Sequence, residues 1–268
     1  RLEYIMSFIP TIPLEQVTGS ARILFGVMFS IKLFFSIDAR ELVWSHRLPL
    51  GSKRCFSFLL TSLVIANSFF IFGFCTGPAA LLQWFFYVFL FRYASLFGLE
   101  DISFHALSFY FVFAGSGTAL SLDSLWGFEV WGRILHDSLV PELALATAIG
   151  NIFLSAGITK LPSPMWKRGL GAYYFFLLPN FRRLGTSLFT KNEKLSRIIN
   201  HMAIGMELGL LPALFVNFFP LGLAFWLMAI GFTLLLSTVF VLTWIGESMT
   251  LGLLIVLWLV LEADTGGL

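Results

Sequence analysis

Eight runs of apolar residues, each close to the roughly 20 residues a helix needs to cross a bilayer core, constrain this chain more than anything else in it. They lie at about 18–36, 55–75, 78–97, 102–119, 141–159, 197–219, 221–244 and 248–262. The expected fold class is therefore an all-α integral membrane protein. Its expected architecture is a polytopic helical bundle of about eight transmembrane segments plus an interfacial or re-entrant element. Composition points the same way: 58% of the 268 residues are hydrophobic and only 12% charged, about half the charge of an ordinary soluble domain. No Pro/Gly/Ser-rich or charged linker divides the chain, so residues 1–268 are read as one domain.

Local punctuation supports the segment boundaries. Thr76-Gly77-Pro78 reads as a tight turn between the second and third runs. Pro141 falls in the first turn of the fifth, where a missing N–H costs nothing. Pro220 separates the sixth from the seventh. Residues 165–189 are too short an apolar run to cross, and they carry basic ends around Tyr173, Tyr174, Phe175 and Phe176. This is the pattern of an element lying at headgroup level. Cys55 and Cys75 stand at opposite ends of one run, about 30 Å apart along a helix, and so do not pair with each other. The sequence opens on Arg1 rather than Met, and the expectation is an incomplete or processed N-terminus.

Charge is distributed unevenly. Between Lys160 and Arg197 stand Lys160, Lys167, Arg168, Arg182, Arg183, Lys191, Lys194 and Arg197 against Glu193 alone. The loop 37–54 is also basic, and four crossings separate the two loops. Both are expected on the cytoplasmic side, with the acidic loop 120–140 on the other. Such a loop suits anionic headgroups; nucleic acid is not expected as a partner, because nothing forms a soluble basic domain.

A few polar residues are costly where they stand. Lys160 closes the fifth run, with Asn151, Ser155 and Thr159 at four-residue steps before it, on one helix face. It is either a snorkelling boundary lysine or a base at the edge of low dielectric. Glu207 lies well inside the sixth run, with Asn200 near the same face and Ala203 between them. It reads as a buried carboxyl that joins helices or as a functional acid, paired with Lys160, Arg22 or His201. Arg22 is expected in a structural ion pair. Lys32 and Arg92, near run ends, are expected to snorkel. His105 and His201 have no second ligand at useful spacing, and no metal, phosphate-loop, dinucleotide or nucleophile motif is present.

Several of these residues together resemble a family. Ser155-Ala-Gly-Ile-Thr-Lys160-Leu followed by Trp166-Lys-Arg-Gly169, Leu120-Ser121-Leu122-Asp123, and Asn200-His201 with Glu207-Leu-Gly-Leu-Leu-Pro212 are similar in order and spacing to blocks of the HTTM (horizontally transferred transmembrane) superfamily, over about residues 100–215. That superfamily includes the membrane domain of vitamin K-dependent gamma-carboxylase and, distantly, lipase maturation factors. The resemblance implies a membrane bundle. In the carboxylase branch it implies that the lysine matching Lys160 acts as the base towards a reduced quinone. The stretch Glu100-Asp-Ile-Ser-Phe-His105 does not reproduce the histidine-containing element that precedes Ser-x-Asp in that branch.

The leading expectation is thus a scaffold, maturation factor or accessory subunit of a membrane complex, with a lipid or quinone among its helices and other membrane subunits as partners. The alternative is an enzyme with Lys160 as acid/base and Glu207 and His201 as tuning partners. A transporter ranks third, because no internal repeat is evident. Trp166, Lys167, Arg168, Arg182 and Arg183 are the expected headgroup or interface residues.

Overall fold

The computed structural model describes residues 13–38, 53–91, 99–127, 140–177, 192–213, 219–239 and 248–257. Among these the fold is all helical. The long helices are α1 (Leu14–Asp38), α2 (Lys53–Phe72), α3 (Thr76–Phe91) and α4 (Leu99–Phe113). A short α5 (Leu122–Trp126) precedes α6 (Val140–Lys160), which is followed by the small helices α7 (Pro164–Lys167) and α8 (Gly171–Leu177). Then come α9 (Glu193–Ala213), α10 (Phe219–Val239) and α11 (Ser248–Leu257).

A helix therefore stands at each of the eight apolar runs, but among the described residues only two stretches are long and apolar enough by themselves to cross a bilayer. They are Glu15–Phe34 in α1 and Leu143–Lys160 in α6. At 1.5 Å per residue, the 16 residues of α3 span only about 24 Å. The expected continuation of that run, residues 92–97 with Arg92, lies outside the described residues. The fourth run departs from expectation for a visible reason. Its helix stops at Phe113, and Gly115 (φ 58°) turns the chain into a largely buried irregular stretch ending at Ser121, with Leu120 exposed. The turn between α2 and α3 is also displaced. Gly73 (φ 68°) and Cys75 (φ 46°) make it, and Thr76-Gly77-Pro78 forms the first turn of α3. Pro141 and Pro220 are each the second residue of a helix, where proline is tolerated.

Neighbouring helices pack in chain order: α1 on α2, α2 on α3, α3 on α4, α4 on α6, α6 on α9 and α9 on α10. Aromatic rings fill the first half of the bundle. Phe25 of α1 meets Phe104 and Phe111 of α4, each at 5.4 Å between centroids, and Phe29 meets Tyr87 of α3 edge-on at 5.0 Å. Glycines govern the second half. Gly150 and Gly157, two turns apart on α6, face Leu211 and Leu208 of α9; a Cβ on Gly157 would stand 3.1 Å from the Glu207 Cβ. Their missing side chains are what let the two backbones approach. The helix α11 packs at the junction of α6 and α4, with Gly252 against Ile149 and Leu107.

Charged and amide side chains lie inside this apolar core while many large apolar side chains face outward. Arg22, Gln83 and Asn200 are wholly buried, and Lys32, Asn67, Asp101, Asp123 and Glu207 nearly so. Outward-facing positions instead carry Phe34 and Phe58 at 69% exposure and Phe72 at 66%, with Ile31, Ile65 and Phe85 among others.

Candidate functional site

Lys160 and Glu207 come together. The close glycine-mediated packing of α6 on α9 sets the end of one helix beside the middle of the other, and the Lys160 ammonium donates to Glu207 Oε1 in a direct ion pair. Of the three partners the sequence left open for Glu207, the structure selects Lys160. The Lys160 side chain keeps 21% of its surface exposed, the Glu207 side chain 4%. Glu207 Oε2 is buried with no hydrogen-bond partner among the described residues.

The α7–α8 hairpin covers this pair. The chain turns after α6 through Leu161 and Pro162, and the Trp166 ring then lies 4.7 Å from the Lys160 ammonium, a cation–π contact. Asn200 holds the hairpin down from α9. Its amide nitrogen donates to Trp166 O (3.0 Å), and its amide oxygen accepts from Ala172 N (3.1 Å). Gly169 adopts φ 75°, a conformation costly for any residue with a side chain, and Gly171 lies flat under the Trp166 ring. The block Trp166 to Gly169 and the Asn200/Glu207 face of α9 are thus parts of one assembly.

The other predicted residues fall elsewhere. His201 is exposed and packs over Gly169 rather than joining Glu207; six residues apart, their side chains leave α9 about 120° from one another. Lys167 and Arg168 are exposed and Trp166 half-buried. Arg182 and Arg183 lie outside the described residues. Asn151, Ser155 and Thr159 do share a face, but it is exposed and turned away from Glu207; the Thr159 hydroxyl donates to Ala156 O at 2.9 Å.

Two further polar centres lie in the first half. Arg22 was expected in an ion pair. Its guanidinium instead donates to two backbone carbonyls of the largely buried irregular stretch, Ser116 O (2.7 Å) and Leu120 O, with the Asp123 charge nearby. Asp123 caps α3, accepting from Cys75 N, Thr76 N and the Thr76 hydroxyl at 2.6–2.7 Å. Ser121 caps α5 by accepting from Ser124 N. The Ser121-Leu-Asp123 element therefore ties α1, α3 and α5 into a knot.

The second centre corrects the reading of Lys32. It does not snorkel; it is 6% exposed, bonded to Asp101 at 2.6 Å and to the Tyr87 hydroxyl at 3.1 Å, over the Phe104 ring. The Tyr87 hydroxyl donates to Asp101 at 2.8 Å. The missed signal was the pairing of one charge near the end of the first run with an opposite charge near the start of the fourth.

Chemically, the Lys160 assembly as it stands is a clamp. As the ammonium partner of a carboxylate, Lys160 offers three donors and no acceptor. The described clefts lie elsewhere and are apolar. One of about 220 Å³ between α4 and α6 is lined by Phe109, Tyr110, Phe113, Ala144 and Leu145. Another of about 280 Å³ between α9 and α10 is lined by Ile199, Met202, Met206, Met228 and Phe232. Among the described residues no three metal-ligating side chains converge. Comparison with protein-family models, with curated proteins and with solved structures finds no match.

Proposed function

We propose that this chain is a multi-pass membrane bundle of the HTTM type that serves as a non-catalytic scaffold, maturation factor or accessory subunit, meeting a partner through α6. The carrying observation is the outward polar ladder of Asn151, Ser155 and Thr159 on a helix apolar enough to span a bilayer. Amide and hydroxyl groups facing hydrocarbon are normally met by another helix. The buried charges beneath an apolar exterior support the membrane setting. The two apolar clefts are sized for a stretch of acyl chain or an isoprenoid tail, the lipid or quinone of this reading.

The test is copurification of the full chain from its own membranes in mild detergent. A stoichiometric membrane partner is expected, and Asn151→Leu is expected to reduce its recovery. A chain that elutes alone and monomeric contradicts the proposal.

A second reading, a membrane enzyme with Lys160 as acid/base, draws on one specific feature: the unpartnered Glu207 Oε2 beside a lysine that still reaches the surface. Such an oxygen is a place for a proton or a donor group to come and go. Turnover of a quinone or lipid that survives Lys160→Ala intact rules this reading out.

A further inference from the structure

We infer that the turn at Gly169, between the α7–α8 hairpin and the first turns of α9, binds the phosphate of an anionic phospholipid. The inference rests on the membrane reading above and adds a ligand to it.

The apolar stretch of α6 ends at Lys160, so the hairpin begins where a hydrocarbon core would end. Trp166, half-buried with its ring against Lys160, is the residue type that favours that depth. Asn200 fixes the hairpin against α9, and this places its basic residues beside those of α9. Arg168 precedes Gly169 directly, while the Arg197 side-chain stem and the His201 ring Nε2 both lie against Gly169. Arg197 and His201 are one turn apart on α9, so Arg168, Arg197 and His201 surround one turn, all exposed. Lys167 and Lys194 flank it, also exposed.

The backbone donors there are already used, Arg168 N by Pro164 O and Gly169 N by Trp166 O, so side chains alone supply the contacts. Arg168 and Arg197 both border Gly169, and a guanidinium fork suits a phosphate, which accepts from it in bidentate fashion. One acidic residue opposes this. Glu193 accepts from Arg197 at 2.6 Å and competes for its fork. His201, which takes no part in the Glu207 pair, gains a role as a headgroup contact.

The full chain is purified in detergent and offered equal amounts of dioleoylphosphatidylglycerol and dioleoylphosphatidylcholine; lipids retained are counted by native mass spectrometry. Phosphatidylglycerol is expected to predominate. Arg168→Gln and Arg197→Gln are each expected to lower its retention about fivefold, the factor one basic side chain contributes at an anionic surface. Glu193→Gln is expected to raise it, an outcome that general loss of folding does not produce. Equal retention of the two lipids, or variants that change nothing, overturns the inference. Displacement of the lipid by millimolar inorganic phosphate also overturns it, because the site would then take a soluble anion. A chain that washes from membranes without detergent sinks the membrane reading too, whereas one that stays in the membrane but shows no lipid preference sinks only this inference.

Discussion

Among the described residues two lysine–carboxylate pairs join helices, and they are built differently. Lys32–Asp101 joins α1 to α4 inside the aromatic core, with side-chain exposures of 7% and 2%, and shares its bonds with Tyr87. Lys160–Glu207 joins the end of α6 to the middle of α9 with exposures of 21% and 4%, and leaves one carboxylate oxygen unmet. The first pair is enclosed by rings and has nowhere to send a freed charge. The second has one member that reaches the surface and one that does not. A lysine and a carboxylate thus make a fixed rivet in one half of the molecule and an adjustable clamp in the other.

Removing single partners separates the two. Asp101→Ala strands Lys32 in the core and is expected to cost the most, about 3–5 kcal/mol, read from thermal unfolding in detergent. The double variant Lys32→Met/Asp101→Leu is expected to recover most of that loss, because an apolar pair needs no desolvation. Lys160→Met should come next, at about 1–3 kcal/mol, since it leaves a buried carboxylate without its donor. Glu207→Gln should cost less than Lys160→Met, because Lys160 can turn outward to water. If the two pairs respond alike, the contrast between rivet and clamp is wrong. Gly157→Ala pushes a Cβ towards Glu207 and Leu208 and should cost about 1–3 kcal/mol by overpacking. Asn200→Ala is expected to have the smallest global effect, about 1 kcal/mol, while proteolysis between Leu161 and Leu177 accelerates as the hairpin comes free.

The sequence made one half of this legible and hid the other. Glu207 stands alone in a long apolar run, and Lys160 closes another, so both drew attention; the apolar lengths also placed a helix at every run. For Lys32 the sequence points outward, because a lysine near a run end ordinarily snorkels. Only folding α1 beside α4 brings Asp101 within reach and makes burial affordable. The Ser121-Leu-Asp123 element was visible as a motif, but its task was not, since its partners Thr76 and Arg22 lie 47 and about 100 residues away. His201 stands six residues before Glu207, which turns the two side chains about 120° apart around the helix and keeps them from meeting. The break of the fourth run falls at Gly115-Ser-Gly-Thr118, a cluster of turn-forming residues inside the span expected from the apolar residues on either side.

The central claim is that hydrocarbon covers the apolar exterior while the charges pair within. Single cysteines placed at Leu24, Ile65, Phe69 and Phe85, in a background with Cys55 and Cys75 replaced, test it in intact membranes. These positions face outward in the protein. A membrane-impermeant maleimide is predicted to leave all four unlabelled, while lipids carrying a nitroxide in mid-chain quench a fluorophore attached there. Rapid labelling at those four sites with no quenching would contradict the account.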